Sequence, residues 1–221
     1  MTKSIYLSPS TQENNIGYGK YGTEEKRMNQ IADVLEKILE NHNIKVYRNK
    51  PEMTLKKLVE DSNFKRPDLH FAIHSNAGGG RGTEIYAFSS GGKGEKAARI
   101  IYQEIKPITP TKDRGVKFNS KFYELKYTKS PAVLIEIAFH DNKEDSYWII
   151  NNINKIAIAL AKGILKYFDV DDVEYRQATE EPAKVYYRVM AGSFSKRKNA
   201  ENQIKNLNKA GFDATIMIYK R

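Results

Sequence analysis

Three ionisable residues lie where predicted strands or helices end, and their types suit metal-assisted hydrolysis. Glu136 interrupts the apolar run PAVLIEIAF, residues 131–139, where an ionised carboxylate is unfavourable unless a cation or a reaction requires it. His74 closes an apolar run that begins at Leu69, and Glu24 opens a predicted helix. One imidazole and two carboxylates at the ends of such elements predict a hydrolytic zinc site.

The three residues are expected to meet at the carboxyl edge of a sheet, where open α/β folds gather their sites. His74 and Glu24 would hold the metal and leave positions open to water, with Glu136 as general base. Asn76 is expected to orient substrate, and His140, in a polar turn, to line the site. Taken singly, His74 also suits an ordinary hydrogen-bonding role and Glu24 a favourable charge at a helix start.

The elements that must position these residues alternate along the chain. Hydrophobic periodicity predicts strands at residues 4–7, 44–48, 69–74, 82–88, 122–125 and 132–137. It predicts helices at residues 24–41, 54–62 and 94–105, and a closing helix or helices over residues 144–168. Strands that alternate with helices predict an α/β fold with a twisted, mostly parallel sheet flanked by helices.

The amino-acid composition excludes several kinds of site and indicates the kind of partner. The 221 residues include no cysteine, which excludes disulfides, thiolate zinc sites and a cysteine nucleophile. The formal net charge of +10 favours a polyanionic partner such as nucleic acid, anionic lipid or bacterial wall. The aromatic residues fit strands, so we expect no nucleic-acid stacking platform. The N-terminus predicts neither a signal peptide nor a membrane insertion, which implies synthesis in the cytoplasm.

The last fifth of the chain has a different pattern. Residues 169–183 are acidic and weakly apolar, which is typical of a linker. Residues 184–221 contain nine basic and two acidic residues and predict a β-α-β module. Its strands are expected at residues 186–190 and 214–219 and its helix at residues 198–210, with Gly211 just beyond the helix end. We therefore expect a catalytic domain over residues 1–168, a linker and a basic module.

Three segments carry a resemblance to a known family. GTEEKRMNQIADVLEKIL, HFAIHSNAGGGRGTEIYAFSS and SPAVLIEIAFHDNKED resemble the zinc-dependent N-acetylmuramoyl-L-alanine amidases of the amidase-3 family, over about residues 3–168. The resemblance implies cleavage of the amide between the lactyl group of N-acetylmuramic acid and the L-alanine of the stem peptide. It also implies that His74 and Glu24 are zinc ligands and Glu136 the catalytic glutamate, with Glu25 as the fallback for Glu24.

The sequence departs from the family at one ligand. The family has a zinc histidine just after its first strand, and here that stretch is SPSTQENN. Gln12 is the best substitute because its amide oxygen can reach a metal; Thr11, Ser10 or a water are the alternatives. An amide ligand is uncharged, so looser zinc binding is expected than for a site with two histidines.

The tail resembles a second family. YYRVMAGSFSKRKNAENQIKNLNKAGFDATI is similar to one β-α-β unit of the SPOR peptidoglycan-binding domain, which has two such units. A lone unit leaves a sheet edge and an apolar face uncovered. We therefore expect two tails to pair and the protein to be a homodimer.

Together these features predict a cell-wall hydrolase whose partner is peptidoglycan. The lack of a signal sequence fits a phage endolysin released through holin pores, or an enzyme that lyses the mother cell after sporulation. The rival hypothesis is a catalytically inert wall-binding protein on an amidase fold, and the missing first histidine is its support.

Overall fold

The computed structural model describes residues 2–109, 113–170, 191–212 and 214–216. The chain divides into two compact units, Met1–Val173 and Glu174–Arg221, and each is described by itself.

Six strands of the first unit form one sheet. They are β1 (Ser4–Pro9), β2 (Lys45–Arg48), β3 (Leu69–Asn76), β4 (Thr83–Ala87), β5 (Asp113–Phe118) and β6 (Ala132–Phe139). Their order is β2-β1-β3-β6-β4-β5, and every neighbouring pair is parallel except β4 with β6. The predicted mostly parallel α/β sheet is thereby confirmed.

Six α-helices accompany the sheet. They are α1 (Glu24–Asn41), α2 (Leu55–Lys65), α3 (Lys93–Ile105), α4 (Tyr123–Tyr127), α5 (Lys143–Asn151) and α6 (Ile153–Phe168), with a short 3-10 turn at Lys106–Ile108. Thr23 caps α1, because its hydroxyl accepts a hydrogen bond from the Lys26 amide.

The sheet has an apolar face and a polar face. Helices α1, α3 and α6 cover the apolar face, where alternate strand residues such as Leu7, Phe71 and Ile135 are fully buried. Gly163 lets α6 approach α3 closely, since a Cβ there would lie 2.6 Å from the Ile101 Cα. Helix α4 covers part of the other face, where Leu125 packs on alternate strand residues.

The polar face is the one that matters for chemistry. Its strand positions include Tyr6, His70, His74, Glu84 and Glu136. Tyr6 is in register with His70, and His74 and Glu84 are each in register with Glu136. Because side chains alternate along a strand, the same backbone that builds the apolar core delivers these groups to the opposite side.

One predicted element is wrong, and one strand was not predicted. Residues 122–125 were expected to form a strand, but Tyr123–Tyr127 is a short helix that buries Glu124 and Leu125. The edge strand Asp113–Phe118 was not predicted, because it is charged and contains Gly115 in the left-handed region (φ 78°). The helix or helices expected over residues 144–168 are two helices that meet at Asn152.

The described part of the second unit contains the helix α7 (Arg197–Lys209), close to its predicted bounds. Gly211 follows it with φ 85°, the left-handed conformation expected just beyond a helix end. The predicted strand over residues 186–190 and most of the acidic linker lie outside the described residues. Residues 214–216 do not form a strand, and the rest of the second predicted strand also lies outside.

Candidate active site

Three chemical groups lie side by side across the polar face of the sheet. His74 on β3 is in register with Glu136 on β6, and Glu136 is in register with Glu84 on β4. The register of β3 with β6 shifts directly after His74, between it and Asn76. Strand β3 therefore continues two residues beyond its predicted end, with an irregularity at the site.

Glu24 reaches this row from the first turn of α1. Its carboxylate is 1% exposed, and Oε1 lies 2.9 Å from His74 Nδ1. The Ser75 amide donates to the same oxygen. Burial opposes ionisation, but hydrogen bonds from His74 and Asn15 hold the pKa of Glu24 below its usual range. The sequence-predicted pair of His74 and Glu24 is thus brought together at the expected edge of the sheet.

Gln12 is connected to this pair through a residue that the sequence did not indicate. The Asn15 side-chain amide donates to Glu24 Oε2 at 2.7 Å and to Gln12 Oε1 at 2.9 Å. Gln12 itself is exposed. The loop after β1 thus brings two amide side chains to the buried carboxylate. Nothing in the polar composition of SPSTQENN distinguishes Asn15 from Asn14.

Glu136 is a carboxylate without a full set of partners. Its Oε2 is buried, and no hydrogen-bond partner for it occurs among the residues that the structure describes. Burial is the main cause that raises the pKa of Glu136 to about 7; the charge of His74 opposes the shift, and Glu24 and Glu84 add to it. A carboxyl group with this pKa can both accept and return a proton near neutral pH.

Glu84, by contrast, is fully engaged. It is 2% exposed and accepts hydrogen bonds from Arg114, Lys117, Tyr86 and the Asn76 side chain. Burial opposes ionisation, but these donors hold the pKa of Glu84 below its usual range. The Asn76 amide is therefore fixed beside Glu84, and its carbonyl oxygen accepts from the Ala77 amide.

His140 lies under the site. Its side chain is 3% exposed, and Nδ1 lies 2.8 Å from the Ser75 carbonyl oxygen and 2.9 Å from Ser75 Oγ. Tyr21 contacts the same hydroxyl at 2.8 Å and stacks on the imidazole. His140 and Tyr21 together fix Ser75, the residue after His74, and so hold the end of β3 in place.

Glu124 is another site residue that sequence reasoning missed. It is 3% exposed and lies between two imidazoles, with Oε2 2.8 Å from His70 Nε2 and Oε1 3.3 Å from His74 Nε2. Burial opposes ionisation, but these histidines hold the pKa of Glu124 well below its usual range. Helix α4 has only five residues, too few to show a helical period, so no sequence signal placed Glu124 here.

His74 is consequently held between two carboxylates. Burial alone would lower its pKa, but the carboxylates of Glu124 and Glu24 raise the pKa of His74 well above its usual value. Such a concentration of negative charge around one imidazole suits a site that accepts a cation.

The donor types fit zinc, which prefers imidazole nitrogen and carboxylate oxygen when no thiolate is available. His74 supplies the nitrogen, Glu24 the carboxylate, and the buried unpaired oxygen of Glu136 lies on the adjacent strand. Within the described residues, no three His, Asp or Glu side chains form a metal-binding group. His74 and Glu24 instead contact each other directly.

Comparison with known proteins places this geometry in a family. The family model for N-acetylmuramoyl-L-alanine amidase (Amidase_3) matches residues 5–166, which include all of the sheet except the first residue of β1, and all site residues above. The chain belongs to this family. The SPOR family model matches residues 161–221. Because Ile164 and Leu165 are buried in the amidase core, the first residues of that match are part of the first unit.

Two curated relatives cover nearly the whole chain. The N-acetylmuramoyl-L-alanine amidase CwlM of Bacillus licheniformis is 28% identical over 225 residues, which span 98% of this chain and 85% of the relative. The sporulation-specific N-acetylmuramoyl-L-alanine amidase of Bacillus subtilis (strain 168) is 26% identical over 97% of this chain and 84% of the relative.

A solved structure supports the fold. The catalytic domain of CwlV, an N-acetylmuramoyl-L-alanine amidase from Bacillus (Paenibacillus) polymyxa var. colistinus, superposes with a TM-score of 0.71. It is 23% identical and covers 77% of this chain and all of that domain. In the described residues of this amidase-family chain, no helix is both long and apolar enough to cross a membrane.

Proposed function

We propose that this chain hydrolyses the amide between N-acetylmuramic acid and the L-alanine of the stem peptide in peptidoglycan. The observation that carries the proposal is the row of His74 and Glu136 on adjacent strands with Glu24 against His74. Membership of the amidase family supports the substrate class.

His74 and Glu24 would hold a zinc ion, with Gln12 as the third protein ligand. Zinc in such a place supplies a Lewis acid that polarises the scissile carbonyl and lowers the pKa of water. The surrounding residues prepare the site for it: the Asn15 amide already joins Gln12 to the Glu24 carboxylate.

Glu136 would handle the proton. Its carboxylate takes a proton from the attacking water and returns it to the nitrogen of the leaving alanine, so that the amine departs neutral. The unpaired Oε2 and a pKa of about 7 suit both steps. Asn76, held by Glu84, would orient the substrate, whereas buried His140 would act through the Ser75 backbone.

A wall-clearing assay tests the activity. Cell walls from a Gram-positive bacterium are incubated with the full chain, with a chelator and then with added zinc, and new N-terminal alanine is measured. We expect clearing and alanine release that stop with chelator and return with zinc. Walls that are bound but release no alanine would favour the rival, an inert wall-binding protein.

The third ligand has a test of its own. Gln12→Ala should weaken zinc binding by at least about tenfold and Gln12→His should strengthen it, since imidazole is the better zinc ligand. Zinc affinity is measured by competition with a chromophoric chelator. Asn14→Ala, an exposed residue of the same loop, serves as the control. An unchanged affinity in Gln12→Ala would show that another group completes the site.

For the tail, the proposal is a basic wall-binding module over residues 184–221, joined by residues 169–183 to a catalytic domain over residues 1–168. The SPOR match and the excess of nine basic over two acidic residues support it. Deletion of residues 182–221 should reduce binding to walls more than turnover of a soluble muropeptide. An equal loss of both would show that the tail is structural.

The proposed place of action is the bacterial cell wall, which contains the substrate. A relative that is named as sporulation-specific supports lysis of the mother-cell wall as the setting, with phage-induced lysis as the alternative. Pairing of two tails into a homodimer stays a prediction, and sedimentation at tens of micromolar tests it.

A further inference from the structure

The buried carboxylate Glu124 has no part in the proposed chemistry, yet it contacts the residue on which that chemistry depends. Glu124 lies on α4, and its Oε1 is 3.3 Å from His74 Nε2. Its Oε2 is 2.8 Å from His70 Nε2. Burial of a carboxylate is unfavourable unless its oxygens accept hydrogen bonds. Here each oxygen of Glu124 has an imidazole nitrogen as its partner.

The contact belongs to a longer chain of hydrogen bonds. His70, fully buried on β3, has its Nδ1 2.9 Å from the hydroxyl of Ser62 on α2. Tyr6 stacks on the His70 ring with centroids 5.5 Å apart. Ser62, His70 and Glu124 thus form a fixed polar network that ends on the far nitrogen of His74.

The two nitrogens of His74 differ in their surroundings. Nδ1 faces Glu24, and the other oxygen of that carboxylate contacts Asn15 of the loop after β1. Nε2 faces Glu124, whose second oxygen is already taken by His70. The Nδ1 side therefore offers further oxygen ligands, whereas the Nε2 side faces a buried carboxylate that is already paired.

We propose that Glu124 is a positioning residue that fixes His74 for metal binding through Nδ1. A ligating imidazole commonly donates from its other nitrogen to a carboxylate, which sets the ring orientation and increases the basicity of the ligand. Glu124 accepts this hydrogen bond from Nε2 and lies outside the metal's own ligands. The inference rests on the proposed zinc site.

This role has particular weight in this chain. Of its four histidines, His70 and His140 are committed to Glu124 and Ser75, and His42 lies at the far end of α1. His74 is then the one imidazole that meets Glu24 in the described residues. A site with a single nitrogen ligand gains most from a partner that strengthens that ligand.

The decisive measurement on the unaltered protein is nitrogen NMR of the zinc-loaded full chain with labelled histidine. We expect His74 to bind zinc through Nδ1 and to carry a slowly exchanging proton on Nε2. Zinc on Nε2, or a rapidly exchanging Nε2 proton, would overturn the inference. Because this readout needs no variant, it does not depend on whether a substituted protein folds.

The variants Glu124→Gln and Glu124→Ala supply the second readout. We expect zinc affinity, measured by chelator competition, to fall about 10–100-fold in Glu124→Gln and further in Glu124→Ala. Asp145→Asn is the matched control. Asp145 is also fully buried, but it accepts hydrogen bonds from the Gly82 and Phe139 amides, and among the described residues it has no hydrogen bond to an imidazole. It should lose stability and keep its zinc affinity.

The outcomes separate this inference from the proposed function. A wild-type chain that binds no zinc would overturn both. Wild-type zinc binding with an unchanged affinity in Glu124→Gln would overturn only the positioning role. The Glu124→Gln protein is also loaded with cobalt. A visible spectrum that shows a lost ligand would identify Glu124 as a direct ligand and would overturn the positioning role as well. A retained spectrum with weakened affinity supports it.

Discussion

On one side of the sheet the strands bury Ile and Leu side chains under three helices, and on the other side the same strands hold carboxylates and imidazoles. Ile135 and Glu136 are neighbours in β6 and point to opposite sides. Each fully buried aliphatic side chain contributes about 1.5–3 kcal/mol, whereas a buried carboxylate costs free energy unless it is paired. Burial on the apolar face therefore provides the free energy that keeps the sheet folded despite the buried carboxylates on its polar face.

Glu84, Glu124 and Glu136, three of the four carboxylates at the site, differ in how their buried charge is compensated. Glu84 is neutralised by Arg114 and Lys117, and Glu124 is held by two histidines. Glu136 alone among the three keeps a buried oxygen without a partner. The difference indicates that two of them hold neighbouring groups in place and that Glu136 is kept ready for a reaction.

Removal of the Glu136 carboxylate should give the largest effect. Glu136→Gln keeps the shape but cannot accept a proton, so turnover should fall about 10²–10⁴-fold while bound zinc is retained. Alanine release from a soluble muropeptide and zinc stoichiometry measure the two quantities. Glu144→Gln, an exposed glutamate on α5, is the control. Loss of zinc from Glu136→Gln would show that Glu136 is a ligand instead of the base.

Removal of an apolar neighbour should act on stability. Ile135→Ala leaves a cavity among fully buried residues and should lower the free energy of unfolding by about 2–5 kcal/mol. Urea unfolding at 25 °C measures it, with bound zinc per folded molecule expected to be unchanged. A loss below 1 kcal/mol, on the order of a single methylene, would contradict the assignment of this face as the core.

The smallest effects are expected on the free energy of unfolding of metal-free protein. Glu84→Gln and Glu136→Gln should change it in opposite directions. Glu136 binds its proton more tightly when folded, so its stabilising contribution is full below about pH 4.5 and is lost as pH rises through about 7. Gln cannot ionise, so Glu136→Gln should be more stable than wild type by about 1–3 kcal/mol at pH 8 and by less at pH 5.

Glu84 behaves in the reverse way. Its folded pKa is lowered, so its contribution is present above about pH 4.5 and is lost as pH falls. Glu84→Gln should therefore be less stable than wild type by about 1–3 kcal/mol at pH 8, because Arg114 and Lys117 lose their partner. Urea unfolding with excess chelator measures both variants. Equal signs for the two would contradict the contrast between a paired and an unpaired carboxylate.

The residues that sequence reasoning identified share a property: each ends or interrupts a long periodic element. His74 and Glu136 lie on strands with clear apolar runs, and Glu24 follows a capping threonine, so their meeting at one sheet edge followed from topology rules. Glu124 and Asn15 lie in short or irregular segments, where one polar residue resembles the next. Their partners are 50 and 9 residues away, respectively, and only folding brings them together.

The sequence by itself determined the α/β alternation, the capped first helix, the family and the candidate trio, because periodicity and motif spacing are local properties. Tertiary structure alone decided that α4 is a helix, that β4 runs against β6, and that two carboxylates hold His74 between them. Such features depend on desolvation and on contacts between distant segments, whose free energies are fixed only once the chain has packed.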